Sequence, residues 1–341
     1  MTTTPAEARR RNLQQMLTIR RTEERIIHFA IDRKDLIRGH YHVYIGQEAT
    51  GVGACNALAA KDTVWTTHRN HGHVLARGGE LKPFLAEILG RQDGYNGGRG
   101  GTFHVIATHL GILQTSGIVG GCMPLAAGAA FSAKTRGTDE VAMCFFGDGS
   151  MEEGAFYEAL NMSALLHLPV VFVCENNDVP RDNRKGGPMP SESLRVQKLT
   201  DIPASFGIPT TIVDGCDMDA VDVAMREIVG KVRGGGGPAF IEARITRWPG
   251  NAASFPVLHG GDWKLDWAFE PATAPQQLQD WAAHSDPIAH YARSLVATGV
   301  MSRGDVEAMD KRILAAVEEA AAFALASPPR PTSAALEHVF A

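Results

Sequence analysis

With 341 residues, 44% of them apolar, and a formal net charge of −5, the chain can bury a large core as one large or two medium domains. The weak acidity, and Lys and Arg residues scattered without an aromatic-interleaved basic block, speak against a nucleic-acid partner. No apolar run reaches the roughly 18 residues of a membrane span, and the five cysteines form no CxxC pair, so they read as buried thiols in a reducing compartment.

Residues 5–32 are predicted as one long helix, with Leu13, Met16, Leu17, Ile19, Ile26, Ile27 and Ala30 as its apolar positions. Charged residues stand where a signal peptide needs an apolar region, so a cytoplasmic location is expected. The segment 37–49 carries His42, and Gly46 is the predicted turn into a helix reaching about Ala60. Residues 62–67 read as a short strand, followed by His68, Arg69, Asn70, His71, Gly72 and His73. Residues 94–101 hold five glycines and read as an irregular loop. Gly117-Ile118-Val119-Gly120-Gly121 precedes a helix of small residues over 124–134.

The apolar run 141–146 is stopped by Gly147-Asp148-Gly149. Ser150 stands three residues before Glu153, a capping-box spacing that predicts a helix start there. Ala155, Phe156, Ala159, Leu160, Ala164 and Leu165 share one helical face, and a second apolar run, 170–174, ends in Glu175-Asn176-Asn177. Two buried strands joined by a helix make a βαβ unit, which brings Asp148 and Asn177 to the same sheet edge. One carboxylate and one neutral amide oxygen, beside glycines that allow close approach, suit a hard cation such as Mg2+ that shares a phosphate.

Residues 180–193 have loop composition, open to reading as a substrate cover or as a plain mobile tip. Then come a strand over 209–213, the turn Val213-Asp214-Gly215-Cys216-Asp217, a helix to about Arg233, a four-glycine linker and a strand over 238–246. It runs into Thr246-Arg247-Trp248-Pro249-Gly250-Asn251. Helices return from Trp281 to Phe323, with Asp286-Pro287-Ile288 as a cap and start, and prolines at 328–331 break the last one.

Gly147-Asp148-Gly149 followed by Asn176-Asn177 resembles the thiamine diphosphate motif. From Arg20-Arg21-Thr22-Glu23-Glu24 to Asp286-Pro287-Ile288 the chain is similar to the α subunit of the pyruvate, branched-chain 2-oxo acid and acetoin dehydrogenases. The resemblance implies an α/β fold: a doubly wound, mostly parallel sheet with helices on both faces over 36–250. An N-terminal helical arm (1–35), packed on partner subunits, and a loop with a C-terminal helical tail (251–341) would flank it.

It implies Mg2+ held by Asp148, Asn177 and the carbonyl of Val179. It implies thiamine diphosphate held by His68, Arg69, Gly117, Val119, Asp148, Gly149, Ser150 and Asn177, with Arg69 forked onto the diphosphate and His68 in place of the usual tyrosine. His42 would face cofactor and substrate, and Gly-Gly-Thr-Phe-His at 100–104 matches a loop near a subunit interface. Relatives continue Tyr-Arg-x-His-Gly-His or Tyr-Arg-x-x-Gly-His where this chain has Thr246 to Asn251, so both histidine places are taken by Pro249 and Asn251, and His259 is the candidate substitute in acyl transfer.

The implied activity is an oxidoreductase that cleaves a 2-oxo acid, with decarboxylation, or acetoin, and passes the acyl unit to an acceptor, lipoyl in the best-known relatives. A separate β subunit would complete the site in an assembly of two α and two β chains, with a lipoyl-carrying acyltransferase as a further partner and no membrane or nucleic acid. The altered segment leaves open a transketolase-like or acyloin-forming thiamine enzyme with a non-lipoyl acceptor, and a non-catalytic structural paralogue.

Overall fold

The computed structural model describes residues 4–33, 35–37, 39–189, 193–251, 256–259 and 261–337. Short β-branched and aromatic runs become the strands β1 (Thr63–Thr67), β2 (Ile112–Ser116), β3 (Ala142–Gly147), β4 (Val170–Asn176), β5 (Thr210–Asp214) and β6 (Ala239–Arg244). They form one six-stranded sheet in the order β2-β1-β3-β4-β6-β5, with every neighbouring pair parallel. This is the doubly wound arrangement expected from the sequence.

The longer helices are α1 (Pro5–Asp32), α2 (Glu48–Asn56), α3 (His71–Ala76), α4 (Leu81–Ile88), α5 (Cys122–Arg136), α6 (Gly154–Leu165), α7 (Asp201–Ser205), α8 (Met218–Lys231), α9 (Asp266–Phe269), α10 (Gln279–His284), α11 (Pro287–Ala297) and α12 (Arg303–Ala326). The period of two along β3 sends Met143 and Phe145 into one core and Ala142, Cys144 and Phe146 into the other. The first core lies against α1, α2, α4, α8 and the C-terminal helices; the second lies against α5 and α6. Both faces are covered, so β3 and the first five residues of β4 are apolar at every position. All five cysteines are free and buried.

α1 starts where Thr4 and Glu7 form a reciprocal capping box with Pro5 at the first turn. This is the expected N-terminal helix, and it also packs within its own chain. Leu13, Met16, Leu17, Ile19, Ile26 and Ile27 are fully buried in the core shared with the sheet and with α11 and α12. The core residues of α1, α11 and α12 therefore pack against the sheet within this one chain.

One local expectation fails. Ser150 does not cap a helix; it lies in a 3-10 turn over Asp148–Glu152, where its carbonyl accepts the Glu153 N–H at 3.3 Å. Glu153 is extended and becomes the N-cap, and α6 begins at Gly154. The tight turn after β3 uses the residues that a capping box would need.

The expected loop over 180–193 is tied down where it is described: Arg244 Nη1 donates to the carbonyls of Asn183 (2.9 Å) and Gly187 (3.1 Å), and Arg184 Nη2 donates to His284 O (2.9 Å). Residues 190–192 of that loop lie outside the described residues. Among the described residues no helix is long and apolar enough to cross a membrane.

Candidate active site

Parallel strands deliver their C-terminal ends to one edge, and here four adjacent strands each end in a chemically useful residue. β1 is followed by His68 and Arg69, β3 by Asp148, β4 by Asn177, and β6 by Thr246 and Arg247. The chain passes from β2 back across β1 to begin β3, so the crevice between β1 and β3 is the switch point at which doubly wound sheets bind ligands.

The electrostatics of this edge are divided. Burial pushes the Asp148 carboxyl above the ordinary carboxylate range, Asp178 and Glu152 add to the effect, and Arg247 opposes it. Burial pushes the Arg69 guanidinium down to about 10, with Arg247 the second cause. Arg69 Nη1 donates to Val43 O at 3.1 Å. Arg247 lies 3.6 Å from Asp178 and belongs to both fields. Two guanidiniums that repel one another beside a desolvated carboxylate form a place for an anion next to a place for a cation.

His42 and His68 stand edge to face at 4.5 Å, and Phe103 lies 5.6 and 5.8 Å from their ring centres. Burial, then Arg69, lowers both imidazoles to about 4, so both are neutral near pH 7. His42 Nδ1 is buried with no hydrogen-bond partner among the described residues. A folded-state histidine below its ordinary 6.5 refuses protons that the unfolded chain accepts. Stability of the isolated chain is therefore expected to fall as the pH drops from about 6.5 toward about 4, and His42→Gln should flatten that slope. Urea midpoints taken across this interval measure it.

The three histidines after β1 go three ways. His68 joins His42. His71 is held between the Glu23 carboxylate (3.0 Å) and Thr102 O (3.0 Å). His73 lies between Thr66 Oγ1 (2.8 Å) and the Tyr44 hydroxyl (3.1 Å), which itself donates to Glu175. The Tyr44 ring fills the space that a side chain at position 72 would need: a Cβ on Gly72 would lie 2.0 Å from it. Glu23 also accepts the Tyr44 N–H at 2.7 Å, so one carboxylate from α1 fixes both the His42 segment and the Arg69 segment.

Gly117 borders the ring group, since a Cβ there would come 3.5 Å from Phe103. The next two residues project outward, Ile118 74% and Val119 52% exposed. Gly149 is exposed and Ser150 buried in the turn beyond Asp148. Asn177 Nδ2 donates to Gln47 Oε1 at 3.2 Å, and the Val179 carbonyl accepts the Thr246 hydroxyl at 2.6 Å. Gly46, at φ +94°, lets the Arg247–Trp248 backbone pass close: a Cβ would meet Trp248 N at 2.9 Å. His259 is not drawn into the ring group; its ring meets Trp248 at 6.2 Å. Pro249 lies in a 3-10 turn, and the Asn251 side chain falls outside the described residues.

These residues fit a metal diphosphate. Burial raises the partly buried Asp148 carboxyl, Arg247 acts on both Asp148 and Arg69, and the buried Gln47 Nε2 and Asn70 Oδ1 have no partner among the described residues. Sequence reasoning missed Glu23, Gln47, Thr246 and Arg247 as parts of the site. Thr246 and Arg247 carried a usable signal, their place just past a strand end; Glu23 and Gln47 carried none.

The dehydrogenase E1 component family matches residues 14–255 and 270–333. The α subunit of acetoin:2,6-dichlorophenolindophenol oxidoreductase of Cupriavidus necator is 36% identical over 92% of this chain and 89% of its own length. The subunit of that name in Bacillus subtilis is 40% identical over 69% of this chain and 68% of its own length. The pyruvate dehydrogenase E1 component α subunit of Zymomonas mobilis is 37% identical over 92% and 83%.

Proposed function

We propose, since this chain belongs to the dehydrogenase E1 component family, that it is the α subunit of a cytoplasmic, thiamine diphosphate- and Mg2+-dependent oxidoreductase that cleaves acetoin or a 2-oxo acid. The observation that carries the reading is the placement of Asp148 and Asn177 at the ends of adjacent parallel strands, with Arg69 and Arg247 beside them. Asp148, Asn177 Oδ1 and the Val179 carbonyl would hold the metal. Arg69 and Arg247 would neutralise the diphosphate, and the turn Gly147-Asp148-Gly149-Ser150 would let backbone approach it.

Bound thiamine diphosphate supplies the carbanion-stabilising chemistry that cleavage next to a carbonyl requires. The chain's own residues then act on the substrate. His42, neutral and with no partner at Nδ1 among the described residues, would hold or pass one proton at the reacting carbonyl, with His68 and Phe103 packed against its ring. Gly117, beside Phe103, and the exposed Val119 would contact the cofactor, and His259 beside Trp248 is the candidate for transfer of the acyl unit to its acceptor, lipoyl or another.

A β subunit is the proposed partner, in an assembly of two α and two β chains. Ile118 and Val119 beside Gly117, and the exposed Leu125, Phe131, Met162 and Leu165 along α5 and α6, leave apolar surface open, which supports a covering chain. A lipoyl-carrying acyltransferase is the further partner in the lipoyl form of the reading.

The test is turnover by this chain assembled with its β subunit, given thiamine diphosphate, Mg2+ and 2,6-dichlorophenolindophenol as electron acceptor. Acetoin, pyruvate and branched-chain 2-oxo acids are each supplied. Dye reduction with one of them is expected. Cofactor binding without dye reduction by any of them would favour the acyloin-forming alternative, which the loss of histidine at Pro249 motivates. Within the same assembly, Arg69→Lys should weaken cofactor binding by about 10- to 100-fold, because an ammonium cannot fork onto two phosphate oxygens. A fluorescence titration with thiamine diphosphate measures this; an unchanged affinity would remove Arg69 from the diphosphate site.

A further inference from the structure

The metal set proposed above contains one charged ligand and two neutral ones. A carboxylate binds a cation through either oxygen. A neutral donor is useful only if its oxygen, and not its N–H, points at the metal. What orients the two neutral donors is visible in this chain.

Asn177 Nδ2 donates to Gln47 Oε1 at 3.2 Å, which commits the amino group and leaves Oδ1 as the outward atom. Gln47 is fully buried, and its backbone is pinned on both sides: its N–H donates to Tyr44 O at 3.1 Å, and its carbonyl accepts the Gly51 N–H at 3.2 Å. The Val179 peptide is clamped in the same manner. Its N–H donates to Ile245 O at 3.0 Å, and its carbonyl accepts Thr246 Oγ1 at 2.6 Å. The hydroxyl has a set direction as well. Arg184 Nη1 approaches Thr246 Oγ1 at 3.5 Å and can only donate, so the threonine proton is left for Val179. Arg184 is in turn held by Asp214, 3.1 Å away, and by His284 O. A carbonyl oxygen has two lone pairs, so the bond from Thr246 aims the Val179 oxygen without using it up.

We propose that Gln47 and Thr246 are the positioning residues of the metal site: Gln47 prevents the Asn177 amide from turning over, and Thr246 aims the Val179 carbonyl. The inference rests on the metal-dependent reading above and deepens it. Neither residue would itself be a metal ligand. Partners of this kind, one bond behind the ligands, typically govern metal affinity by about 10- to 100-fold.

The experiment uses the assembled α and β chains at fixed thiamine diphosphate, titrated with Mg2+ and followed by tryptophan fluorescence. Thr246→Val, which keeps the shape and removes the hydroxyl, is expected to raise the half-saturating Mg2+ concentration about 10- to 100-fold. Thr246→Ser is expected to restore it. Gln47→Met should act like Thr246→Val; if that buried replacement prevents assembly, the Thr246 pair decides alone. Thermal melting of the metal-free complex separates positioning from folding, because positioning leaves the melting temperature of Thr246→Val at the parent value. Parent-like Mg2+ titrations for both Thr246→Val and Thr246→Ser, with Asp148→Ala abolishing the response, would overturn this inference alone. A parent complex that binds thiamine diphosphate without any Mg2+ dependence would overturn the metal reading and this inference with it.

Discussion

Asp148→Ala is expected to lower turnover of the assembled enzyme by at least about 1,000-fold, since a lost metal ligand removes several kcal/mol and each 1.4 kcal/mol is tenfold. Burial is the main cause of the raised Asp148 carboxyl, with Asp178 and Glu152 on the same side of the balance. A carboxylate held above its ordinary value of 3.8 is a cost to the folded chain at every pH above that value. The cost is relieved as the pH falls through the raised value, because the folded chain then takes up the proton. Two consequences have opposite signs. Asp148→Asn should stabilise the metal-free chain near neutral pH, seen as a higher urea midpoint, while it removes Mg2+-dependent cofactor binding. In the parent, protons compete with the metal, so half-saturating Mg2+ should rise on acidification through that same range. A destabilised metal-free Asp148→Asn chain would mean that the carboxylate is held by the fold itself and not kept for a cation.

The second large effect is structural. Asp286→Ala should destabilise the chain by about 3–5 kcal/mol, the cost of leaving a buried charge without its partner. Arg20 on α1 is fully buried. Its Nη2 donates to Asp286 Oδ1 at 2.9 Å and its Nε to Glu48 Oε1 at 2.7 Å, and Trp263 and Trp281 lie 5.2 and 5.3 Å away. Burial alone would lower the guanidinium's pKa; Asp286 and Glu48 outweigh it and hold the group above its ordinary value. Asp286 also accepts the Ile288 N–H at 3.0 Å, capping α11, and the Trp263 indole N–H at 2.6 Å. Arg20 and Asp286 together thus tie α1, α2, α11 and the segment before α9. Arg20→Met should cost less when Asp286→Ala is already present than it does alone, because the stranded charge is gone. Denaturant midpoints of the two single variants and the double variant measure the coupling. Additive losses would show that the pair contributes nothing beyond its separate contacts.

How much of this was legible beforehand differs from element to element. The helix expected over 5–32 is α1, since its apolar spacing, Thr4 and Pro5 are all local signals. The runs 141–146 and 170–174 are β3 and β4, apolar at every position because both faces of the sheet are covered. The Ser150 capping box was equally local and failed, because the turn that presents Asp148 bends the chain three residues before a helix can begin. The N-terminal helical arm is present as α1, but its neighbours within the chain were not legible. Periodicity shows that a helix has an apolar face but not what that face meets, and here it meets the chain's own C-terminal helices.

By itself the sequence determined the parallel sheet, the order of strand and helix around positions 140–177, and the arrival of Asp148 and Asn177 at one edge. A strand–helix–strand unit of that length can close in essentially one hand and one direction. Tertiary structure alone decided which side chains stand behind those two. Glu23 reaches His71 and Tyr44 from α1, Arg247 faces Arg69 from the far side of β3 and β4, Gln47 turns the Asn177 amide, and Thr246 aims the Val179 carbonyl. Propensity and period act over a few residues, whereas the direction of an amide or a carbonyl is set by hydrogen bonds from 67 and 130 positions away. Such bonds exist only once the sheet has brought its strand ends together.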